Sequence, residues 1–295
     1  MKPLLKIIDT QQQEAFQLLR VDESFFFPSW HFHPEYEIML VLEGRGMRFV
    51  GDSIERFEAG DLVFLGKDIP HFYRSDEEYY SGRSPERSKA LVVYFKEYFL
   101  GDAFWNLPDI EVLKKLFADA KRGVRFRGEA KEAIAAKIRE LCEHSTGIEK
   151  VIDLLSIFQI MSGAKNYDIL SSRGFSPHPV KAECDRINQV CSYILDHYTT
   201  SPTLSEVSAH ANMSTAAFCK YFKSRTNKTY TRFLNEIRIG NACRLLIEDR
   251  LSISQICFKI GFNNLTHFNS QFKRIIGRTP SQYQQQHLEG ANIPG

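Results

Sequence analysis

Two groups of residues in this chain have types and spacings that could do chemistry. The first is His31-x-His33-x-x-x-Glu37, which places two imidazoles and a carboxylate within seven residues. On an extended strand all three have the same parity, so period-two alternation can aim them to one side. Imidazole with carboxylate suits Mn, Fe, Ni, Cu or Zn without choosing among them, and the same groups can act without a metal as hydrogen-bonding pocket lining. The second group lies near the other end. There Leu265, Thr266, Asn269 and Ser270 share one side of a helical stretch, while Phe268, Phe272 and Ile275 recur at i, i+4 and i+7 on the other. One side can pack, and the other can meet the edges of DNA bases.

The elements that must position the second group are written in the caps. Ser252 and Gln255 form a Ser-x-x-Gln capping box, so a helix should start at Ile253, and Gly261 just past Ile260 should stop it in the left-handed conformation. The same plan occurs earlier. Thr203 and Glu206 form a box, Leu204, Val207 and Ala211 give an apolar stripe, Asn212-Met213-Ser214 make the turn, and Phe218, Tyr221 and Phe222 anchor a second helix. Leu204 and Val207 match Ile253 and Ile256 at an offset of 49, and Phe218 and Phe222 match Phe268 and Phe272 at 50. This is a duplicated helix-turn-helix. Residues 231–248 between the copies contain no proline and read as a long linking helix.

The first group sits in a different kind of sequence. Phe25-Phe26-Phe27, Glu37 to Leu42, Gly46 to Val50, Asp61 to Leu65 and Ala90 to Phe95 are β-rich runs broken by Gly, Pro and Asp. Their spacing suggests a barrel or jelly roll. Residues 129–144 and 147–163 then read as helices, with Ile134, Ile138 and Leu141 repeating in one and Val151, Leu154, Leu155, Phe158 and Met161 in the other. Asp109 to Lys121 is a further short helix with Leu113, Leu116 and Phe117 inward. Residues 171–182, with Gly174, Pro177 and Pro179, read as a linker between a domain at 1–170 and another at 183–295. The fold class is thus α+β multidomain: a β-barrel followed by helices, then an all-α double helix-turn-helix. Charge follows the division. From Lys181 onward 14 Lys and Arg face 8 Asp and Glu, whereas residues 1–180 carry 24 against 28. The basic half has the surface that phosphate contacts demand. Six cysteines without a Cys-x-x-Cys pair suit a reducing compartment, and no apolar run approaches a membrane span, so a cytoplasmic protein is expected.

Residues 186–285 resemble the DNA-binding domain of the AraC/XylS family of transcription regulators, whose closing signature is matched by Ile260-Gly261-Phe262, Phe268, Phe272-Lys273, Gly277, Thr279-Pro280 and Tyr283. Gln284 stands where the family usually has Arg, and Asn227 replaces the usual Gly after the first recognition helix. In the first domain, His31 to Gly44 resembles the first cupin motif, and Gly60-Asp61 through Pro70-His71 resembles the second. The resemblance implies a dimeric, sequence-specific regulator, an activator or a repressor, with double-stranded DNA and a small polar effector as partners and RNA polymerase as a possible one. It implies no catalysis and no cofactor. DNA would be met by Ser214, Thr215, Ala216, Cys219, Lys220 and Lys223 in one helix and Asn264, Leu265, Thr266, Asn269, Ser270 and Lys273 in the other. Arg225, Lys228 and Arg274 would touch phosphate or cover apolar surface with their stems.

The effector, with sugars as the first class to test, would be met by His31, His33, Glu37, His71 and Trp30, with Phe64 and Phe72 near the mouth. The same three histidines and Glu37 are the candidate ligands if a metal is held, although none is expected. The helices at 129–144 and 147–163 would pair two subunits. A metal-dependent cupin enzyme fused to a DNA-binding tail, and a dimeric DNA-binding protein without effector, are the alternatives.

Overall fold

The computed structural model of the protein describes residues 16–26, 30–80, 86–143, 146–175 and 181–291. The chain divides into two compact units, Met1–Cys184 and Asp185–Gly295. The first contains strands β1 (Phe16–Glu23), β2 (Tyr36–Glu43), β3 (Gly46–Val50), β4 (Ser53–Phe57), β5 (Leu62–Leu65), β6 (His71–Ser75), β7 (Ser88–Phe95), β8 (Val124–Phe126) and β9 (Tyr167–Ile169). One sheet has the order β1-β7-β2-β5-β8-β9, and a second has the order β4-β3-β6. Runs such as β2, β5 and β7 are apolar almost throughout because both of their faces are covered. Ile38, Leu40, Phe64, Val93 and Phe95 join a core shared with helices, whereas Met39, Val41, Val63, Val92 and Tyr94 join a core shared with Val50, Phe57 and Tyr73 of the smaller sheet. The two sheets face one another across the second of these cores, the cupin-like arrangement expected of this domain.

Helices α1 (Glu77–Tyr80), α2 (Gly101–Trp105), α3 (Glu111–Ala120), α4 (Gly128–Glu143) and α5 (Ile148–Gly163) complete this unit. Ile134, Ile138 and Leu141 of α4 and Leu154, Phe158 and Met161 of α5 are buried against the larger sheet. The α5 residues expected at a subunit interface therefore lie in the chain's own core. The apolar side chains that α5 does expose are Ile148 and Ile152, 70% and 55% accessible.

Two other expectations are corrected. Ser24 and Phe25 form a bend, Phe26 is tucked between the sheets, and Phe27 lies outside the described residues; the strand runs earlier, at Phe16–Glu23. The expected linker also begins inside the first unit. Ser171 Oγ donates to the Val50 carbonyl at 3.0 Å, and the N–H and Oγ of Ser172 donate to the Asp52 carboxylate at 2.8 and 2.6 Å. Residues 176–180 lie outside the described ones.

The second unit is helical: α6 (Lys181–His197), α7 (Leu204–His210), α8 (Thr215–Thr226), α9 (Tyr230–Ile247), α10 (Ile253–Lys259), α11 (Leu265–Ile276) and α12 (Pro280–Ala291). Both capping boxes form, at Thr203 with Glu206 and at Ser252 with Gln255. The two matched turns carry left-handed residues, Asn212 with φ 54° and Gly261 with φ 87°, and Asn227 (φ 54°) and Gly277 (φ 86°) end the two recognition helices. Phe218, Phe222, Phe268 and Phe272 are fully buried, as the stripe spacing requires. No helix among the described residues is long and apolar enough to cross a membrane.

Candidate ligand cavity and nucleic-acid interface

The inner face of β2 presents Glu37, the chain just before it brings His31 and His33, and β6 opens with His71. His31 and His71 are held side by side by a two-way backbone bridge, with N–H···O distances of 3.1 and 2.9 Å. His33 Nε2 lies 3.0 Å and His71 Nε2 3.2 Å from the same oxygen, Glu37 Oε2. The Nδ1 of each ring instead faces a main-chain carbonyl, that of Glu35 at 3.1 Å and that of Ile69 at 2.9 Å. A carbonyl can only accept, so both Nδ1 atoms carry protons and both Nε2 atoms converge on one carboxylate oxygen.

Burial alone would favour the neutral acid at Glu37, which is 2% exposed; His71 and His33 beside it reverse this and hold the carboxyl well below the usual range. Burial, together with nearby charges including Glu37, pushes the Tyr73 and Tyr94 phenols well above theirs, so both remain neutral hydroxyls. One ligand atom from each of His31, His33, Glu37 and His71 fits within a mutual span of 4.8 Å. The donor set fits a transition ion, which the three imidazoles and Glu37 would hold, with the Nδ1–carbonyl bonds fixing ring orientation. The contacts with Glu37 also engage His33 and His71 without one.

His31, Glu37 and His71 line a cavity of about 650 Å³ between the sheets, whose other walls include Leu19, Phe25, Phe26, Met39, Tyr73, Val92 and Tyr94, with Arg20, Glu23 and Ser24 also lining it. His33 is not among the lining residues, yet it contacts Glu37 directly. The expected aromatic lining is corrected. Trp30 stacks edgewise on Phe49 and Phe72, and Phe64 lies in the core beneath the helices, so none of the three reaches the cavity. Parity explains it: Phe72 and Phe64 alternate with inward neighbours, whereas Met39 shares the parity of Glu37, and Tyr73 that of His71. That signal was present in the sequence and would have found Met39 and Tyr73.

In the second unit, Ser214 caps α8 by accepting from the Ala217 N–H at 3.3 Å, and Asn264 caps α11 by accepting from the His267 N–H at 2.9 Å. These caps set the N-terminal turns. Thr215, Ala216, Cys219, Lys220 and Lys223 are exposed on α8, as are Leu265, Thr266, Ser270 and Lys273 on α11. Each set lies opposite its buried phenylalanines, and His267, which spacing did not single out, is exposed with them. Asn269 is half-buried and its Oδ1 is shielded from solvent. Lys228 departs from its expected phosphate role, because it is buried and ion-paired to Glu236 of α9. Arg225 lies over the Tyr221 ring, 5.8 Å from its centroid.

Comparison with known proteins matches residues 18–150 to an AraC-like ligand binding domain and residues 207–286 to a helix-turn-helix domain. The chain is 23% identical over 276 residues to the uncharacterized HTH-type transcriptional regulator YdeC of Bacillus subtilis, covering 86% of this chain and 84% of that one. It is 24% identical over 254 residues to the Msm operon regulatory protein of Streptococcus mutans, covering 85% and 84%. It is 21% identical over 259 residues to the HTH-type transcriptional activator RhaS of Klebsiella pneumoniae, covering 88% of each. Among solved structures, ToxT from Vibrio cholerae aligns over 92% of this chain and 97% of its own at 16% identity, with a TM-score of 0.35. With a ligand-binding module at one end, a duplicated helix-turn-helix at the other and relatives along most of its length that are transcription regulators, the chain belongs to the AraC/XylS family of DNA-binding transcription regulators.

Proposed function

We propose that the cavity between the two sheets takes a small effector with an apolar body and a polar, hydroxyl-bearing end, and that binding there changes the affinity of α8 and α11 for an operator. The observation that carries this reading is the buried Glu37 carboxyl, faced by His33 and His71, in the wall of an otherwise largely apolar cavity. Both ring contacts fall on Oε2, and a carboxylate offers about four acceptor positions, so Glu37 keeps capacity for a ligand hydroxyl. The apolar walls narrow the expected class from free sugars to ligands with both a hydroxylated and a hydrophobic part. No catalytic role is assigned to the cluster. Exposed Ile148 and Ile152 support pairing of two chains through α5.

The effector changes transcription only if it binds the DNA-competent and DNA-incompetent forms differently, so operator and effector should change each other's affinity by the same factor, with a coupling of about 1–3 kcal/mol. Glu37→Gln keeps the shape but removes the charge. It should weaken the effector response while leaving ligand-free operator binding within about twofold, as read by titration of a labelled operator with and without compound. Equal operator affinities across every compound shown to bind the cavity would mean the first unit does not sense through DNA affinity.

On DNA, the two recognition helices should enter major-groove segments roughly 10 bp apart. Thr266→Ala should cost about 1–3 kcal/mol at one base position, whereas Lys273→Ala should weaken all sequences alike and reduce the salt slope by about one. Binding isotherms at several salt concentrations separate the two. A footprint confined to one groove segment would contradict tandem reading.

A further inference from the structure

The linking helix α9 buries Asn235, Glu236 and Arg238, each less than a tenth exposed, among mostly apolar neighbours. Taking such groups out of water is costly unless each finds a partner. Each finds one in a different part of the unit. Asn235 Nδ2 donates to Gln271 Oε1 of α11 at 3.3 Å. Glu236 accepts from Lys228, just past the end of α8, and from Arg232 Nε at 2.9 Å. Arg238 donates through Nε and Nη2 to the Tyr198 carbonyl at 2.9 and 2.7 Å, and through Nη2 to Ser201 Oγ at 2.8 Å. Ser201 Oγ in turn donates to the Gly261 carbonyl at 2.9 Å, and the Arg238 guanidinium lies 5.3 Å from the centroid of the Phe262 ring.

The approach to α7, the exit from α8, the turn before α11 and α11 itself are thus all tied to one helical turn of α9. Apolar packing is non-directional and tolerates small slips; hydrogen bonds to fixed backbone carbonyls do not. We propose that Asn235, Glu236 and Arg238 are positioning residues that set the phase between the two recognition helices, so that discrimination of the spacing between the two DNA segments resides in the linking helix. The proposal rests on both helix pairs engaging DNA. None of the three residues needs to touch a base.

The test uses a duplex selected by the full-length wild-type chain from a random pool, and the same duplex with one base pair inserted or removed between the two contacted segments. Wild type should bind the altered duplexes at least about tenfold more weakly, the scale of one lost base contact. Arg238→Met replaces a buried charge by an apolar side chain of similar length and leaves the Tyr198 carbonyl without this donor, at a cost of about 1–3 kcal/mol. This variant should bind all three duplexes within about threefold of one another while base preference within each segment is unchanged. The combined Asn235→Ala and Gln271→Ala variant, which removes a smaller pair, should flatten the ratio in the same direction and serves if Arg238→Met does not fold. A folded variant with the wild-type spacing ratio in both cases overturns the proposal. A wild-type chain indifferent to spacing overturns it together with the tandem reading.

Discussion

Gly261→Ala should cost the second unit about 3 kcal/mol or more, against about 1 kcal/mol for Gly277→Ala, although the two glycines share almost the same backbone conformation. Their φ angles are 87° and 86°, so the intrinsic strain of an L side chain is the same at both. The surroundings differ. A Cβ at Gly261 would stand 2.6 Å from the Thr199 carbonyl oxygen and 2.8 Å from that of Tyr198, both main-chain atoms that cannot rotate away. At Gly277 nothing lies within 4 Å. Both tryptophans, Trp30 and Trp105, belong to the first unit, so helical circular dichroism is the signal to follow and indole fluorescence serves as an internal control. Equal losses for the two substitutions would show that the close approach of residues 198–199 to the turn is not rigid.

Leu154→Asp should unfold the first unit, whereas Ile152→Asp should leave it folded and act on assembly. Leu154 is fully buried beside Phe158 and Met161, and an unpaired carboxylate there has no compensating partner. A loss above about 4 kcal/mol is expected, enough to exhaust much of the stability of an ordinary domain. Ile152, 55% exposed, faces outward two residues earlier, and a charge there should change stability by less than about 0.5 kcal/mol. If two chains pair through this face, Ile152→Asp should shift sedimentation toward monomer without moving the tryptophan-monitored unfolding transition. A Leu154→Asp protein that stays folded and merely dissociates would reverse the assignment of the two faces of α5.

The double helix-turn-helix was legible almost residue by residue because its signals are local. A capping box specifies its own helix start within four residues, and a left-handed Gly or Asn marks the stop. The sheets were harder to read. β1 carries Gln17, Arg20, Asp22 and Glu23 among its apolar residues, and β4 places Glu55 and Arg56 between Ile54 and Phe57, so neither shows clean alternation. β4 is made a strand by pairing with β3, a non-local fact. The His31, His33, Glu37 and His71 constellation was visible from spacing and motif. Trp30, Phe64 and Phe72 lie close to the cluster in sequence, but strand parity decides direction and turns Phe64 and Phe72 away from the cavity.

The central strands of the larger sheet form a partition one residue thick. Glu37 and Met39 look into the cavity, while Ile38 and Leu40, each one peptide bond away, sit in the core that holds α4 and α5. No intervening layer absorbs a displacement: a compound that shifts Met39 shifts Ile38 with it, and the helix carrying Ile148 and Ile152 is seated on that same core. The partition is correspondingly intolerant of length changes. Adding one residue within β2 would exchange its two sides, turning the carboxylate toward the helices and a leucine toward the histidines, so its length should be among the least negotiable features of the chain.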